Sequence, residues 1–459
     1  MSNSDAASRG EYLCRLLNTG SARLHFSGVR GISMSALAQF LAKKGHRVSG
    51  SDAATGGKDL GEVVVTEQPG GYIRAADALI YSLAIGESDG ERLLARLHGV
   101  PEYSRPELLG AIMRQYKNRI GISGTHGKST TTAILAHVFS HAGLSPTVFS
   151  GVELAVGDSY VVGGSENFIY EACEYKRAFL HFSPDYAIIT GVELDHTDCY
   201  PDLNSLIEAF ISAHKVARRV VISTDFAASS VMVRALGKSV VTFGTASDAD
   251  YVYSVTSADR LGSDFVINHR GKSLGLFHIS VMGAHNVANA TAAIALSLEY
   301  DIDVDIIRSA LHGFRGIGRR LEHIGTLSGR EVYYDYAHHP TELRAAISTL
   351  RGAFGRVSVI FRPHTYTRTR DLWRGFVDAL CEADYAVISR VFAAREKEIP
   401  DVNSARLAAE IPHAVALDGS EAVEYILSHT DGAIAIIGAG DLTDVKETIE
   451  DLIKQEKDK

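Results

Sequence analysis

A chain of 459 residues is too long for one hydrophobic core and implies two or three domains. Apolar residues make up 46% and charged residues 22%, ordinary globular usage that leaves disorder only to ends such as "KQEKDK". The formal charge of -9 speaks against nucleic acid as a partner, and the four scattered cysteines form neither a disulfide framework nor paired metal ligands. With no apolar leader in "MSNSDAASRGEYLC" and no apolar run of roughly 18 residues, the chain reads as cytoplasmic, without membrane insertion.

In chain order, "RLHFSGV" reads as a strand, "GISMSALAQFLAKKG" as a helix and "HRVSGSD" as a second strand, a βαβ opening. The strand "DALIYS" and the Pro-flanked helix "RPELLGAIMRQY" follow, and a first boundary falls near Lys117. "NRIGIS" then starts a second region, in which "FIYEAC", "YAIITGVELDH" and "RRVVIST" alternate with helical stretches. The segment "DYVYSVTSADRLGSDFVINHRGKSLGLFHISV" alternates strands and turns and predicts a small antiparallel sheet, before the helical run "HNVANATAAIALSLEY". Beyond "GIGRRLEHIG", the strands "EVYYDYA", "RVSVIF", "YAVISRV" and "AIAIIGAGD" are spaced by helices, a third α/β unit with a parallel sheet.

The stretch "GISGTHGKSTTTAILAHVF" joins the second region's first strand to a helix through two glycines and a lysine. Backbone amides of such a turn cradle phosphate, Lys128 reaches the β and γ phosphates, and Ser129 or Thr130 offers a hydroxyl to Mg2+. The loop is shorter than the general G-x-x-x-x-G-K-[ST] pattern, since Ile122 stands where its first glycine would be. A chance Gly-Lys-Ser turn would give the same letters, but the flanking strand and helix disfavour it.

That shortened loop resembles the one in the Mur ligases, ATP-dependent amide-forming enzymes of peptidoglycan synthesis. The motifs "HFSGVRGISMSALA", "VSGSD", "EACEYKRAFLHFSPDYAIIT", "GRRLE", "DYAHHPTE", "PHTYTRTRDL" and "GAGD" extend the likeness in family order over roughly residues 20 to 445. The resemblance implies an α/β protein of three domains. Residues 1–117 would form a Rossmann-like UDP-sugar-binding domain. Residues 118–323 would form a central P-loop ATPase domain with a mainly parallel sheet and a small antiparallel one, and 324–459 a Rossmann-like amino-acid-binding domain. It implies UDP-N-acetylmuramate, L-alanine and ATP as substrates and Mg2+ as the metal, in a monomer or weak homodimer.

Carried onto this sequence, the resemblance assigns ATP binding to Gly124, Thr125, His126, Gly127, Lys128, Ser129 and Thr130, and to His285, Asn286 and Asn289 near the adenine. Arg320 would reach the ATP phosphates and Asp335 the ribose, while Ser129, Glu174 and His196 would hold the metal. Lys128, Arg320 and His338 would be catalytic. Tyr336, His338 and Arg368 would face the amino acid, Arg368 pairing with its carboxylate. Gly28, Arg30, Gly31, Ser33, Met34, Ser51, Asp52 and Ser82 would line the UDP pocket. From the residues alone Glu174 could be a solvated loop acid, His196 a structural histidine, the two asparagines helix caps, and Arg320 a hinge-surface charge.

Three positions depart from the family pattern: Arg30 replaces a loop glycine, Gly191 a common asparagine, and Thr365 a second arginine found in many relatives. Arg30 is expected to bond to the diphosphate. It also breaks the G-x-G-x-x-G fingerprint, which weakens a competing dinucleotide oxidoreductase reading. The same motifs also fit a sibling ligase that adds a peptide or another amino acid to the sugar, and a non-catalytic nucleotide-binding relative.

Overall fold

Short apolar strands alternating with helix-spaced segments give parallel strands joined by crossovers, and the described residues build three mainly parallel sheets. The computed structural model describes residues 3–54, 56–154, 157–440 and 442–457, with side chains from residue 9 onward. Asp441 of the "GAGD" motif lies outside the described residues. Packing divides the chain into two compact units: 1–195, 199–250 and 292–307 form the first, and 196–198, 251–291 and 308–459 the second.

The first unit holds two sheets. In one, Val64–Val65, Arg47–Ser51, Arg23–Ser27, Ala78–Tyr81 and Glu102–Ser104 lie side by side in that order, all parallel. In the other, Val240–Gly244, Arg219–Ser223, Tyr186–Ile189, Asn118–Ser123, Asn167–Glu171 and Thr147–Phe149 are parallel, and Tyr160–Val161 closes the edge antiparallel. The central strands are buried on both faces, as in Ile120, Ile122, Ile188 and Ile189, which is why they read as continuous apolar runs.

Both sheets of this unit share one apolar core. Phe40 meets Phe149 edge to face with ring centres 5.2 Å apart, and Tyr116 meets Phe168 at 4.7 Å. Helix Arg105–Met113 lies directly against the turn Tyr175–His181, because Gly110 has no side chain: a Cβ there would stand 2.6 Å from the His181 carbonyl oxygen. Ser104 starts that helix with a capping box, its backbone N–H and hydroxyl bonded to Glu107. The helix Asn3–Asn18 was not expected from sequence; its Leu13 and Leu17 reach the same core.

In the second unit, Tyr251–Asp259, Gly262–His269 and Lys272–Ile279 form the expected antiparallel strands. A six-stranded sheet follows, ordered Glu322–Leu327, Arg330–Asp335, Ala433–Ile437, Val357–Phe361, Tyr385–Ile388 and Ala414–Ala416, with only the first pair antiparallel. The described part of the charged tail is not disordered: helix Thr443–Lys457 continues into it, anchored by buried Val445, Ile449 and Ile453, and residues 458 and 459 lie outside the described residues.

Candidate active site

Strand Asn118–Ser123 delivers the glycine-rich loop to the carboxyl edge of its sheet, where open α/β sheets place ligands. Gly124 is required twice over: its φ is +132°, and a Cβ would stand 2.2 Å from Thr190 Oγ1. The next residue anchors the loop, Thr125 N–H donating to the Gly191 carbonyl at 2.8 Å and its hydroxyl to the Glu193 carbonyl at 3.0 Å. Gly127, with φ +77°, opens helix Lys128–His141. Ser129 and Thr130 are buried in the first turn, and His126 Nε2 lies 3.0 Å from Glu193 Oε2.

Lys128 Nζ donates to the Gly124 carbonyl at 2.5 Å and to the Thr125 carbonyl at 3.2 Å, and forms an ion pair with Glu174 Oε1 at 3.1 Å. Burial works most strongly against its charge, yet the groups around it, the Glu174 carboxylate first, with Cys173 and Glu171, together raise the lysine above its ordinary range. Glu174 is itself 1% exposed, and Tyr200 OH donates to its backbone carbonyl at 2.6 Å. Sequence positions 46 apart are thus joined into one charged pair at the phosphate loop. Beside it, burial pushes the Cys173 thiol up to about 11, which favours its protonated form at neutral pH. His196 is half-buried, with φ +53°, and packs with the second unit; its neighbour Thr197 donates to Asp371 Oδ2 at 2.8 Å.

Gly191 has a neighbour that explains its identity. A Cβ there would stand 2.2 Å from the Phe226 ring, so that ring occupies the space a larger side chain needs.

In the first sheet, Gly28 turns the chain with φ +77° after Arg23–Ser27, and Gly28 N–H donates to the Ser51 carbonyl at 2.9 Å. Gly31 precedes helix Ile32–Lys43, in which Ser33 is half-buried and Met34 buried. Asp52 is engaged by the backbone, accepting from Arg30 N–H at 2.8 Å and Ala54 N–H at 3.0 Å. The Arg30 guanidinium reaches over Gly57, where a Cβ would be 3.0 Å from Nη1. Ser82 sits beside the turn, its Cβ 3.5 Å from the Cβ position of Gly28.

The second unit gathers the remaining candidates around Glu342. Arg320 Nη1 lies 3.8 Å from Glu342 Oε1, and the Arg320 Nε finds no hydrogen-bond partner among the described residues. The Arg320 guanidinium also lies over the Tyr336 ring, 5.4 Å from its centre. Asp335 accepts from Leu321 N–H and Ala337 N–H, each at 2.7 Å, and burial pushes its carboxyl up to about 6 against the opposing pull of Arg320. Burial, with the Arg320 charge, pushes His285 down to about 4 and keeps it neutral at pH 7. Asn286 donates to the Met282 carbonyl at 2.7 Å and Asn289 to Asn286 Oδ1 at 3.2 Å, a buried amide pair at the helix start. The His338 ring stands 5.4 Å from Tyr336 and 6.0 Å from His364, whose Nδ1 is 3.1 Å from Arg368 Nη1. Thr365 precedes the helix Tyr366–Asp371 with φ +64°.

Four groups escaped sequence reasoning. Glu91 accepts from the hydroxyls of Ser27 and Ser51 and lies 3.5 Å from buried His25 Nε2. The Arg105 side chain, at the start of its helix, makes no hydrogen bond to the described residues; burial works against its charge while Cys173 and Glu171 support it. Glu342 and Phe226 complete the set. Their partners are scattered along the chain, and only Glu342, within "DYAHHPTE", carried a local signal.

Comparison with known proteins places this architecture. The "Mur ligase family, catalytic domain" model matches residues 23–117, the "Mur ligase middle domain" 122–297, and the "Mur ligase, glutamate ligase domain" 319–443. The chain belongs to the Mur ligase family, as the likeness to full-length relatives also requires. UDP-N-acetylmuramate–L-alanine ligase of Lachnospira eligens is 37% identical over 454 residues, covering 94% of this chain and 98% of that protein. The enzyme of the same name from Caldanaerobacter subterraneus subsp. tengcongensis is 34% identical over 93% of this chain and 96% of its own length. A crystal structure of UDP-N-acetylmuramate-alanine ligase from Thermotoga maritima superposes with a TM-score of 0.80 at 28% identity, covering 95% of this chain and 99% of that one.

Proposed function

We propose that this chain is the ATP-dependent ligase that joins L-alanine to UDP-N-acetylmuramate, releasing ADP and phosphate, in peptidoglycan precursor synthesis. The observation that carries the reading is the buried Lys128–Glu174 pair at a phosphate loop, in a chain that matches ligases of that name over nearly their whole length. A carboxylate and an amine do not condense at neutral pH until the carboxylate gains a leaving group. ATP provides one: the muramoyl carboxylate attacks the γ-phosphorus, ADP leaves, and an acyl phosphate forms. The alanine amine then attacks the acyl carbon, and the C–O bond to phosphate breaks. Negative charge gathers in both steps, so fixed cations are the main requirement.

In this proposal Lys128 and the loop amides bind the ATP phosphates, His126 and Thr130 flank them, and Arg320 adds a second cation. His285, Asn286 and Asn289 meet the adenine end and Asp335 the ribose hydroxyls. Gly28, Arg30, Gly31, Ser33, Met34, Ser51, Asp52 and Ser82 form the UDP pocket, with Arg105 as a further cation for the anionic substrate. Tyr336, His338 and Arg368 receive the amino acid. Ser129, Glu174 and His196 would hold Mg2+; the hydroxyl and carboxylate among them are the hard oxygen donors this ion takes, and it would supply charge neutralisation for phosphoryl transfer.

The proposed division is 1–117 for the UDP-sugar, 118–323 for ATP and 324–459 for the amino acid, in a cytoplasmic monomer or weak homodimer. Among the described residues no helix is long and apolar enough to cross a membrane. Phosphate release from ATP, measured with UDP-N-acetylmuramate plus L-alanine, plus tripeptide, or with neither, tests the reading. Release with L-alanine alone among these is expected; release only with tripeptide, or none in any arm, refutes it.

A further inference from the structure

Glu342 is the third residue of helix Pro340–Phe354, after the N-cap His339. An acid at this position ordinarily reaches back to the N-cap's own backbone N–H. Here Oε2 accepts instead from the backbone N–H of His338, at 3.1 Å, one residue earlier. The same oxygen lies 3.4 Å from His338 Nδ1, which is also 3.1 Å from the Tyr336 carbonyl. Two acceptors facing one ring nitrogen place the proton there, so in the neutral imidazole Nε2 carries the lone pair. The other oxygen, Oε1, is the one near Arg320, and the carboxylate is 12% exposed.

We propose that Glu342 is a positioning residue for amide formation: through Nδ1 it fixes the tautomer and ring orientation of His338, so that Nε2 accepts a proton from the attacking amine. The proposal rests on the ligase reading above. L-alanine arrives as an ammonium and must lose a proton before its nitrogen can attack. Of the two protons lost in forming the amide, one goes to His338 Nε2 and the other leaves on inorganic phosphate as hydrogen phosphate. The C–N bond forms and the C–O bond to phosphate breaks, the phosphate taking the electron pair. The imidazolium so formed lies beside the Glu342 carboxylate, which stabilises it. Charged or titratable groups near it include Tyr336 and His364, with Arg368 beside His364, Arg319 over the Tyr336 ring, and Arg320 and Asp335 across Glu342.

A nucleophile that is already neutral separates positioning from structure. Hydroxylamine, neutral at pH 7, traps the acyl phosphate as a hydroxamate and needs no base. In the full-length Glu342→Gln variant, alanine-dependent kcat should fall about tenfold to a hundredfold, part of the 10²–10⁴ that general base catalysis supplies. Hydroxamate formation and the KM for UDP-N-acetylmuramate should stay within about twofold of wild type, and the acid limb of the alanine pH profile should move to lower pH. Glu342→Asp, which keeps the charge, should recover part of the alanine rate. Parallel loss of the alanine and hydroxylamine rates, or loss of neither, overturns the proposal. A wild-type protein that makes hydroxamate but no alanyl product refutes the substrate reading instead.

Discussion

Asp335 and His285 are buried in the same unit with opposite consequences for stability. Asp335 rises from 3.8 to about 6, chiefly by burial, with Arg320 and two backbone N–H groups opposing. The folded state therefore holds this proton about 3 kcal/mol more tightly than the unfolded chain, at 1.36 kcal/mol per pH unit. That contribution is complete below pH 3.8 and is lost as the pH rises through about 6. His285 falls from 6.5 to about 4, so its neutral form is the one favoured by folding, and its contribution of similar size appears as the pH rises over about 4 to 6.5. The two nearly cancel in the wild-type protein. Asp335→Asn removes one of them, and the variant's stability should climb relative to wild type by about 3 kcal/mol between pH 4 and 6.5. The altered hydrogen bonds to Leu321 and Ala337 displace the whole curve without changing that slope. Urea unfolding followed by fluorescence of Trp373, the chain's single tryptophan and part of the same unit, measures it. Parallel curves for the two proteins would refute the reasoning.

Lys128→Ala should abolish product formation while leaving UDP-sugar affinity by calorimetry nearly intact, and should cost about 3–5 kcal/mol of stability because Glu174 stays buried without that cation. Near-normal turnover would contradict the mechanism. Gly191→Asn should destabilise by about 1–3 kcal/mol through collision with Phe226, and adding Phe226→Ala should recover most of it; thermal melts showing simple additivity would count against the packing argument. Arg30→Gly should weaken UDP-N-acetylmuramate binding by about 1–3 kcal/mol with ATP affinity unchanged, and equal or tighter binding in a calorimetric titration would show that Arg30 is no ligand.

Local signals were read from sequence and distant ones were not. Gly124, Gly127 and Lys128 announce their role within four residues, since a strand, a tight turn and a helix start are short-range events. The pairing of Lys128 with Glu174 spans 46 positions and was not anticipated, since resemblance assigned Glu174 only to the metal. Nothing in the spacing of Ser27, Ser51 and Glu91 hints that two hydroxyls converge on one carboxylate, because three separate elements must pack first. The segment "YAIITGVELDH" contains a strand of only Tyr186–Ile189; the chain then leaves the sheet, and Thr190 and Gly191 pack against the phosphate loop. The tail misled in the other direction. Its charge suggested disorder, but buried Val445, Ile449 and Ile453 just ahead of it anchor a helix that continues to Lys457, and adding residues to an existing helix costs little once the first turn is formed.

The shared core of the first unit has a consequence for how the enzyme can be divided. Phe40 and Tyr116 precede Lys117, and their ring partners Phe149 and Phe168 follow it, beyond the phosphate loop. Cutting the chain at Lys117 would expose matching apolar faces on both fragments, each fully buried ring being worth roughly 1.5–3 kcal/mol. Two segments that read in sequence as separate regions therefore pack on one apolar core, and separating them would strip from each the surface that the other covers. Gly110 serves the same packing, its missing side chain letting helix Arg105–Met113 meet the turn Tyr175–His181 across that division.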